Sequence, residues 1–272
     1  MKIFDSHCHL DDPAFKQDFD SVIERAQRDD VLAMMVVGTD GDSSRRAVDI
    51  ARRHPNIIAS VGVHPHEARR CDDALIHHLQ GLAADPKVRA LGEAGLDFNR
   101  MHSPQKDQEL WFVRQLALGD DLGLPIIFHE RDSRGRFLEI LKRHWKPGRT
   151  GVVHCFSGTE QELETYLELG LYIGITGIVT IQSRGATLRE MVRRIPLDRL
   201  IVETDAPYLT PAPERNRYRR NEPAFVRSVL FQLAALLAQS PEALSDLVWE
   251  NTCRLFGWRP NTENRGYTSV SV

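Results

Sequence analysis

Eight short apolar segments recur along the 272-residue chain, and a longer segment with helical periodicity follows each of the first seven. This alternation is typical of repeated strand–helix units and predicts a parallel sheet. We predict strands at 2–8, 31–39, 57–64, 88–95, 125–130, 151–157, 171–177 and 199–205. The helical segments between them lie at 18–29, 43–54, 73–84, 103–123, 133–145, 160–170 and 186–195.

Eight strands with intervening helices favour closure into a single-domain (β/α)8 TIM barrel, and an open doubly wound sheet is the alternative architecture. Two further helices are predicted at 222–239 and 241–257. No repeat or Pro/Gly/Ser-rich linker divides the chain. We therefore expect one domain over residues 1–258, followed by a polar tail over 259–272.

The composition is that of a soluble globular protein, with 42% hydrophobic and 27% charged residues. A net charge of −3 provides no overall basic field, so a polyanionic partner would have to meet a local patch. The amino terminus lacks the apolar core of a signal peptide, and no run approaches the length of a membrane span. We expect a cytoplasmic protein that has no membrane partner, with packing roles for its four cysteines, Cys8, Cys71, Cys155 and Cys253.

Ionisable residues recur at the carboxyl ends of the predicted strands, where the strands of a barrel converge on one face. Each would be costly to bury without a partner, and a metal ion is such a partner. One histidine of this kind is more often a hydrogen-bonded core residue, but a matching set favours a metal site. The set comprises His7, His9, His64, Glu93, His129, His154 and Asp205.

The donor types narrow the ion and the reaction. Imidazole and carboxylate ligands suit Zn²⁺, Mn²⁺, Fe²⁺ or Co²⁺, and Mg²⁺ fits the carboxylates. Six ligands exceed the need of one tetrahedral ion, and Glu93 could bridge two, so we predict a binuclear centre. Two such ions would activate a water molecule for hydrolysis. The six predicted ligands are His7, His9, Glu93, His129, His154 and Asp205.

Strand alternation places His7 and His9 on one face, together with Ile3 and Asp5, so the two histidines are expected to bind one metal as a pair. Glu203 has the same parity as Asp205. It could orient a ligand histidine, or it could form an ordinary buried salt bridge.

Segments beside the strand ends provide candidates for binding substrate. His64, fixed by a following proline, could donate to a phosphate, whereas His66 is expected to be structural. The loop after the eighth strand carries four arginines, and we predict that Arg219 and Arg220 bind substrate. Tyr208 and Tyr218 could stack on bases or simply pack.

Seven motifs together resemble those of the TatD family of metal-dependent deoxyribonucleases. They are "DSHCHL", "GVHPH", "GEAGLDF", "HCFSGT", "YIGITGIVT", "ETDAPYL" and "RRNEP", and the resemblance spans residues 3 to about 257. As an ordered set on eight strand ends they are far more specific than any one of them alone.

The resemblance implies an amidohydrolase-type barrel that hydrolyses phosphodiesters and degrades DNA from its ends. It further implies that His7, His9, Glu93 and Asp205 hold the first metal ion, and that Glu93, His129 and His154 hold the second. We predict that Asp205 is also the catalytic base, and that the protein is a monomer with DNA as its substrate. The alternative is ester or amide hydrolysis on the same centre, such as deacylation of a misloaded D-aminoacyl-tRNA.

Overall fold

The computed structural model describes residues 1–260 and contains eight strands that pair in parallel in sequence order. Residues 261–272, which make up most of the predicted tail, lie outside the described residues. The strands are Ile3–Cys8 (β1), Val31–Val37 (β2), Ile57–Val61 (β3), Val88–Asp97 (β4), Ile126–Arg131 (β5), Gly151–Val153 (β6), Tyr172–Ile175 (β7) and Leu200–Val202 (β8).

Helices alternate with these strands as the periodicity predicts, and a short unpredicted helix, α8, follows β8. The helices are Phe19–Arg28 (α1), Gly41–Arg53 (α2), Asp73–Leu82 (α3), Gln105–Leu122 (α4), Arg136–His144 (α5), Glu160–Glu168 (α6), Ala186–Val192 (α7), Ala212–Arg215 (α8), Val226–Leu236 (α9) and Pro241–Phe256 (α10).

The sheet closes where β1 meets the segment that follows β8. The Asp205 N–H donates to the carbonyl of His7 at 2.9 Å, and the His9 N–H donates to the carbonyl of Ala206 at 2.7 Å. This confirms the barrel and excludes the open doubly wound sheet. The junction lies at the carboxyl ends of the strands, among the predicted metal ligands.

The inside of the barrel is an apolar layer to which every strand contributes, and α10 covers its amino-terminal end. Phe4 of β1 packs at 5.9 Å from the ring of Trp249 and 6.1 Å from the ring of Phe256, both on α10. Aromatic side chains of this size bury a large apolar area. Because one end is filled, the cavity that could admit a substrate lies at the carboxyl end. The layer comprises Phe4, Ala33, Ile58, Ala90, Ile127, Val152, Tyr172 and Ile201.

A β-bulge in β1 corrects the predicted direction of its side chains. The pairing of Asp5 with Met34 and of Cys8 with Val36 sets three residues of β1 against two of β2. Phe4 packs inside the barrel, whereas Ile3 packs in the outer core beneath the helices. The predicted grouping of Ile3 and Asp5 with the histidines is therefore wrong, because an extra residue reverses the alternation between them.

A second bulge directs Glu93 into the barrel. Leu91 pairs with Ile126 and Ala94 pairs with Phe128, so β4 also carries one extra residue. Gly92 lies at this point with a φ of +122°, and a Cβ atom there would come within 2.4 Å of the Ile127 carbonyl oxygen. Only glycine fits such a position without strain.

No single helix among residues 1–260 has the length and apolarity needed to cross a membrane. Two neighbouring segments, Pro223–Leu236 and Pro241–Phe256, together have the length and apolarity of a membrane span, but the chain bends by 113° between them. Their apolar residues include Leu230, Leu233 and Val248, which are buried in the core of the barrel. Two buried core helices can have the same length and apolarity as a broken membrane span.

Candidate metal centre

Glu93 lies at the centre of the predicted ligand set, and its two carboxylate oxygens face different groups of histidines. Oε2 lies 3.4 Å from Nε2 of His7 and 3.8 Å from Nε2 of His9. Oε1 lies 2.6 Å from Nδ1 of His129 and 3.1 Å from Nε2 of His154. The structure thus brings the five residues together around one buried carboxylate.

Asp205 completes the group on the His7 side. Its Oδ1 lies 3.3 Å from Nε2 of His9 and 3.7 Å from Nε2 of His7. The structure therefore assembles all six predicted ligands at the mouth of the barrel. Several strands end earlier than predicted, because the chain departs from the ladder to present these side chains: β8 ends at Val202, and His154 directly follows β6.

His64 lies beyond the end of β3, where it caps the short 3-10 helix Pro65–Arg70 by accepting a hydrogen bond from the His66 N–H. Its Nε2 lies 3.5 Å from Oε1 of Glu93 and 3.2 Å from Nδ1 of His129. His64 is thus close enough to act as a further ligand, a role that the sequence did not predict for it.

Asp205 adopts a backbone conformation that the following segment secures. Its φ is +59°, in the left-handed region that aspartate enters more readily than most residues. The side-chain amide of Asn221 donates to the carbonyls of Thr204 at 2.9 Å and Tyr208 at 2.6 Å. Asn221, from the "RRNEP" motif, therefore holds both ends of the loop that presents Asp205.

The electrostatics of the centre keep its central carboxylate charged. Burial alone would raise the pKa of Glu93, but the surrounding histidines, His154 foremost, hold that pKa well below its usual value. Burial alone would lower the pKa of His154, but Glu93 and Glu203 raise it well above its usual value. Cations that bind here would displace protons from the imidazoles.

The donor set fits divalent metal ions. An ion about 2.0 to 2.2 Å from each nitrogen and oxygen needs donors roughly 3.0 to 3.5 Å apart. Many of the nitrogen–oxygen separations around Glu93 fall close to that range. Three sets of donors each gather within 4.8 Å, and these donors could hold metal. The sets are His7 with His9 and Glu93, His7 with His154 and Asp205, and His64 with Glu93 and His129.

Glu203 lies behind His154, just beyond the end of β8. Its Oε1 lies 3.2 Å from Nδ1 of His154 and accepts a hydrogen bond from the Cys155 N–H. Gly174 leaves space for this carboxylate, since a Cβ atom there would lie 2.5 Å from Oε2 of Glu203. Asp97 lies behind His129 in a similar way, which the sequence did not predict.

Asp97 holds two histidines at the edge of the centre. Its Oδ2 lies 2.7 Å from Nε2 of His66 and 3.4 Å from Nε2 of His129. Backbone N–H groups of Asn99 and Arg100 donate to its other oxygen. Burial would raise its pKa, but the hydrogen bonds from His129 and His66 lower it overall. Asp97 lies four residues after Glu93 in "GEAGLDF", and this even spacing along a strand could have revealed its place beside the site.

Arg219 and Arg220 do not line the cavity at the mouth of the barrel. Arg220 donates at 2.8 Å to Asp18 and at 2.7 Å to Glu222, and its guanidinium lies over the ring of Phe15. These contacts bind the "RRNEP" segment to the start of α1. Arg219 is exposed. Substrate contact by either arginine stays a prediction.

The two candidate tyrosines occupy different environments. Tyr208 lines a cavity of about 780 Å³ above the metal centre, and 54% of the residue is exposed. Its hydroxyl donates to Asp12 at 3.2 Å. Tyr218 instead packs against Phe225, with ring centroids 5.0 Å apart. Of the two, only Tyr208 lies where a substrate base could reach it.

A closed (β/α)8 barrel with histidine and carboxylate donors at its carboxyl end defines the class of metal-dependent barrel hydrolases. The family model described as TatD related DNase matches residues 4–257. The chain belongs to this family, as its motifs predicted. Its nuclease and hydrolase assignments are thereby confirmed, and nuclease activity is favoured over ester or amide hydrolysis.

Relatives of known name and structure agree with this membership. The 3'-5' ssDNA/RNA exonuclease TatD of Rahnella sp. (strain Y9602) is 43% identical over 257 residues, which cover 93% of this chain and 98% of the relative. The solved structure of YJJV, a TatD homologue from Escherichia coli K12, is 30% identical, with a TM-score of 0.86 over 94% of this chain and 98% of that one. A TatD family hydrolase from Entamoeba histolytica gives a TM-score of 0.85 at 26% identity, with 94% and 98% covered.

Proposed function

We propose that this protein is a 3'-5' exonuclease that removes nucleotides from the ends of single-stranded DNA or RNA with the aid of two divalent metal ions. The substrate and polarity are those printed in the names of relatives that are 43% and 42% identical to it. The observation that carries the two-ion proposal is the division of Glu93 between two groups of histidines. Mg²⁺, Mn²⁺ and Zn²⁺ all suit these donors.

The ligands would divide as the two faces of Glu93 divide them. His7, His9 and Asp205 would hold one ion together with Oε2 of Glu93. His129 and His154 would hold the other together with Oε1. When bound, the ions would activate water and neutralise charge on the attacked phosphate.

Asp205 is proposed as the base that takes the proton from the attacking water. Its side chain keeps 15% of its surface exposed to the cavity, whereas that of Glu93 keeps 3%. Burial would raise the pKa of Asp205, but the hydrogen bond from His9 and the charge of His154 lower it overall. The carboxylate is therefore ionised and reachable from the cavity, as a base must be.

His64 is proposed to contact the scissile phosphate. It lines the cavity beside Glu93, and burial lowers its pKa well below the usual value. A neutral imidazole keeps one N–H that can donate to a phosphate oxygen. Glu203 is proposed to orient His154 through the contact at Nδ1.

We propose further that residues 1–258 form the hydrolase unit and act as a monomer in the cytoplasm. Every proposed ligand comes from one chain, so the site needs no partner. The four cysteines are free thiols, which suits a reducing compartment.

The test is incubation of a 5'-labelled single-stranded oligonucleotide with Mg²⁺ or Mn²⁺. A ladder that shortens from the 3' end supports the proposal, and an oligonucleotide with phosphorothioate linkages at that end should resist. Asp205→Asn is the control for a contaminating nuclease. An active preparation whose Asp205→Asn variant retains full activity would refute the assignment, and a panel of esters and amides tests the alternative.

A further inference from the structure

We infer that Arg100, Arg131 and Arg184 form a cationic arc that binds the phosphates of the polynucleotide next to the scissile one. This inference rests on the proposed nuclease function, and it names the side of the mouth along which the bound strand runs. All three residues line the cavity above the metal centre. All three are exposed to solvent.

The arc follows the order of the strands. Arg100 lies three residues beyond the end of β4, and Arg131 is the last residue of β5. Arg184 lies in the turn that leads from β7 to α7. Neighbouring strands in this barrel are consecutive in sequence, so the three arginines occupy the half of the mouth from β4 to β7.

These arginines have no ion-pair partner within residues 1–260. Two of the carboxylates that line the cavity are paired with other arginines. Asp11 pairs with Arg46 at 3.1 Å, and Glu67 pairs with Arg70 at 3.1 Å.

Two further carboxylates of the cavity lining accept hydrogen bonds from neutral groups. Asp12 accepts hydrogen bonds from the Ala14 N–H and from the hydroxyl of Tyr208. Glu130 accepts a hydrogen bond from the Ser133 N–H at 3.0 Å. No carboxylate within residues 1–260 forms an ion pair with an arginine of the arc, so the three positive charges remain available to a ligand. A chain carrying one phosphate per nucleotide matches that arrangement.

The opposite half of the mouth differs in chemistry. It carries Tyr208 and Leu209 after β8 and Asp12 after β1. An exonuclease must hold the remaining strand on one side of the scissile phosphate and release a nucleotide on the other. The charges assign the strand to the β4–β7 half and the departing nucleotide to the half that contains Tyr208.

The test compares two triple variants that change the net charge equally. Arg100→Gln, Arg131→Gln and Arg184→Gln together remove the arc. Arg28→Gln, Arg53→Gln and Arg143→Gln together are the control, because these exposed arginines lie in the last turns of α1, α2 and α5. Helices of a (β/α)8 barrel run antiparallel to its strands, so the control residues lie at the opposite end of the molecule.

Two measurements read the result. The first is binding of a fluorescent twelve-nucleotide oligothymidylate, measured by anisotropy in EDTA. EDTA removes divalent metal and so prevents cleavage. Removing the arc should weaken binding about two- to fivefold per arginine and reduce the slope of log K against log salt by about 0.7 for each phosphate that is no longer neutralised. Hydrolysis of bis(p-nitrophenyl) phosphate should stay within about twofold of the wild type, because this small diester does not reach the arc.

The outcomes separate the arc from the proposed function. Equal weakening in the control variant, no weakening in the arc variant, or parallel loss on the small diester would each overturn the arc. A wild-type protein that cleaves the oligonucleotide while the arc variant binds it normally refutes the arc alone. A wild-type protein with no activity on nucleic acid refutes the proposed function, and with it the arc.

Discussion

The Oε1 atom of Glu203 lies 3.2 Å from Nδ1 of His154, while the other ring nitrogen of His154 lies 3.1 Å from Glu93. His154 is therefore held between a carboxylate at the centre and a carboxylate behind it. Glu203 is 1% exposed, so its charge acts on the ring with little screening by solvent.

Replacing Glu203 with Gln should therefore weaken metal binding and activity together. Loss of a carboxylate behind a ligand histidine typically costs about 10- to 100-fold in metal affinity or activity. Elemental analysis and kcat at several Mn²⁺ concentrations measure both effects. Glu242→Gln, an exposed change at the start of α10, is the control. Unchanged metal affinity in Glu203→Gln would give Glu203 a purely structural role.

Glu93→Gln should reduce occupancy of both metal positions, because this carboxylate faces both groups of ligands. His7→Ala, which removes a donor from one group only, should lower the total by about one ion per chain. Metal content after saturation and desalting compares the two variants with the wild type. A wild-type protein that binds no divalent metal at saturation contradicts the whole site.

Asp205→Asn should lower kcat by about 100-fold or more even at saturating Mn²⁺, because an amide oxygen is a very poor base. If Asp205 only held metal, excess metal would instead restore the kcat of the variant. The measurement is kcat across a Mn²⁺ titration, with bound metal counted at each point. Full recovery at high metal would reduce Asp205 to a ligand and make His64 the next candidate for the base.

Tyr208→Ala should raise KM for single-stranded DNA about fivefold or more, since stacking on an aromatic ring contributes roughly 1–3 kcal/mol per base. Tyr208→Phe keeps the ring and removes only the hydroxyl that donates to Asp12, so it should bind nearly normally. Tyr218→Ala alters a ring outside the cavity and controls for general effects. Equal losses in Tyr208→Phe and Tyr208→Ala would contradict stacking.

Arg220→Gln should lower the melting temperature at neutral pH by about 2 to 4 °C, the shift expected for roughly 1 kcal/mol. Arg220, foremost through its hydrogen bond, and Arg25 together lower the pKa of Asp18 from 3.8 to about 2. A carboxyl with a lowered pKa stabilises the fold above its ordinary pKa, and this stabilisation is lost as the pH falls through the lowered value. The deficit of the variant should therefore shrink from about pH 5 to about pH 2.

Thermal unfolding across that pH range tests the Arg220 prediction, with Arg219→Gln as the control on the same loop. A deficit that is independent of pH would exclude the Asp18 pair as its cause. A rise in KM for DNA without loss of stability would instead support the substrate role predicted for Arg220 from the sequence.

Much of the fold could be predicted because alternating apolar and helical segments have few ways to bury a parallel sheet. The candidate ligand histidines could be found because ionisable groups at buried strand ends are otherwise costly. The face of β1 could not be predicted, since nothing in "FDSHCHL" announces a bulge. Position after the bulge, not simple alternation, directs His7 inward.

Residues at or beyond the ends of the strands were harder to place. Asp97 was missed although its spacing from Glu93 was visible, because it lies at the end of a strand that continued further than predicted. Arg100 and Arg184 were missed because loop paths depend on tertiary contacts that one sequence does not encode locally. Arg220 was predicted from charge alone, but charge does not reveal that Asp18 and Glu222 lie beside it.

The junction between β1 and the segment after β8 has a consequence for biosynthesis. His7 and His9 leave the ribosome some 200 residues before Asp205 and Ala206, which pair with them. A nascent chain therefore lacks the complete set of proposed ligands until Asp205 has been translated. Cation capture and barrel closure become one late event, so incomplete products should be catalytically silent near the cell's own nucleic acids.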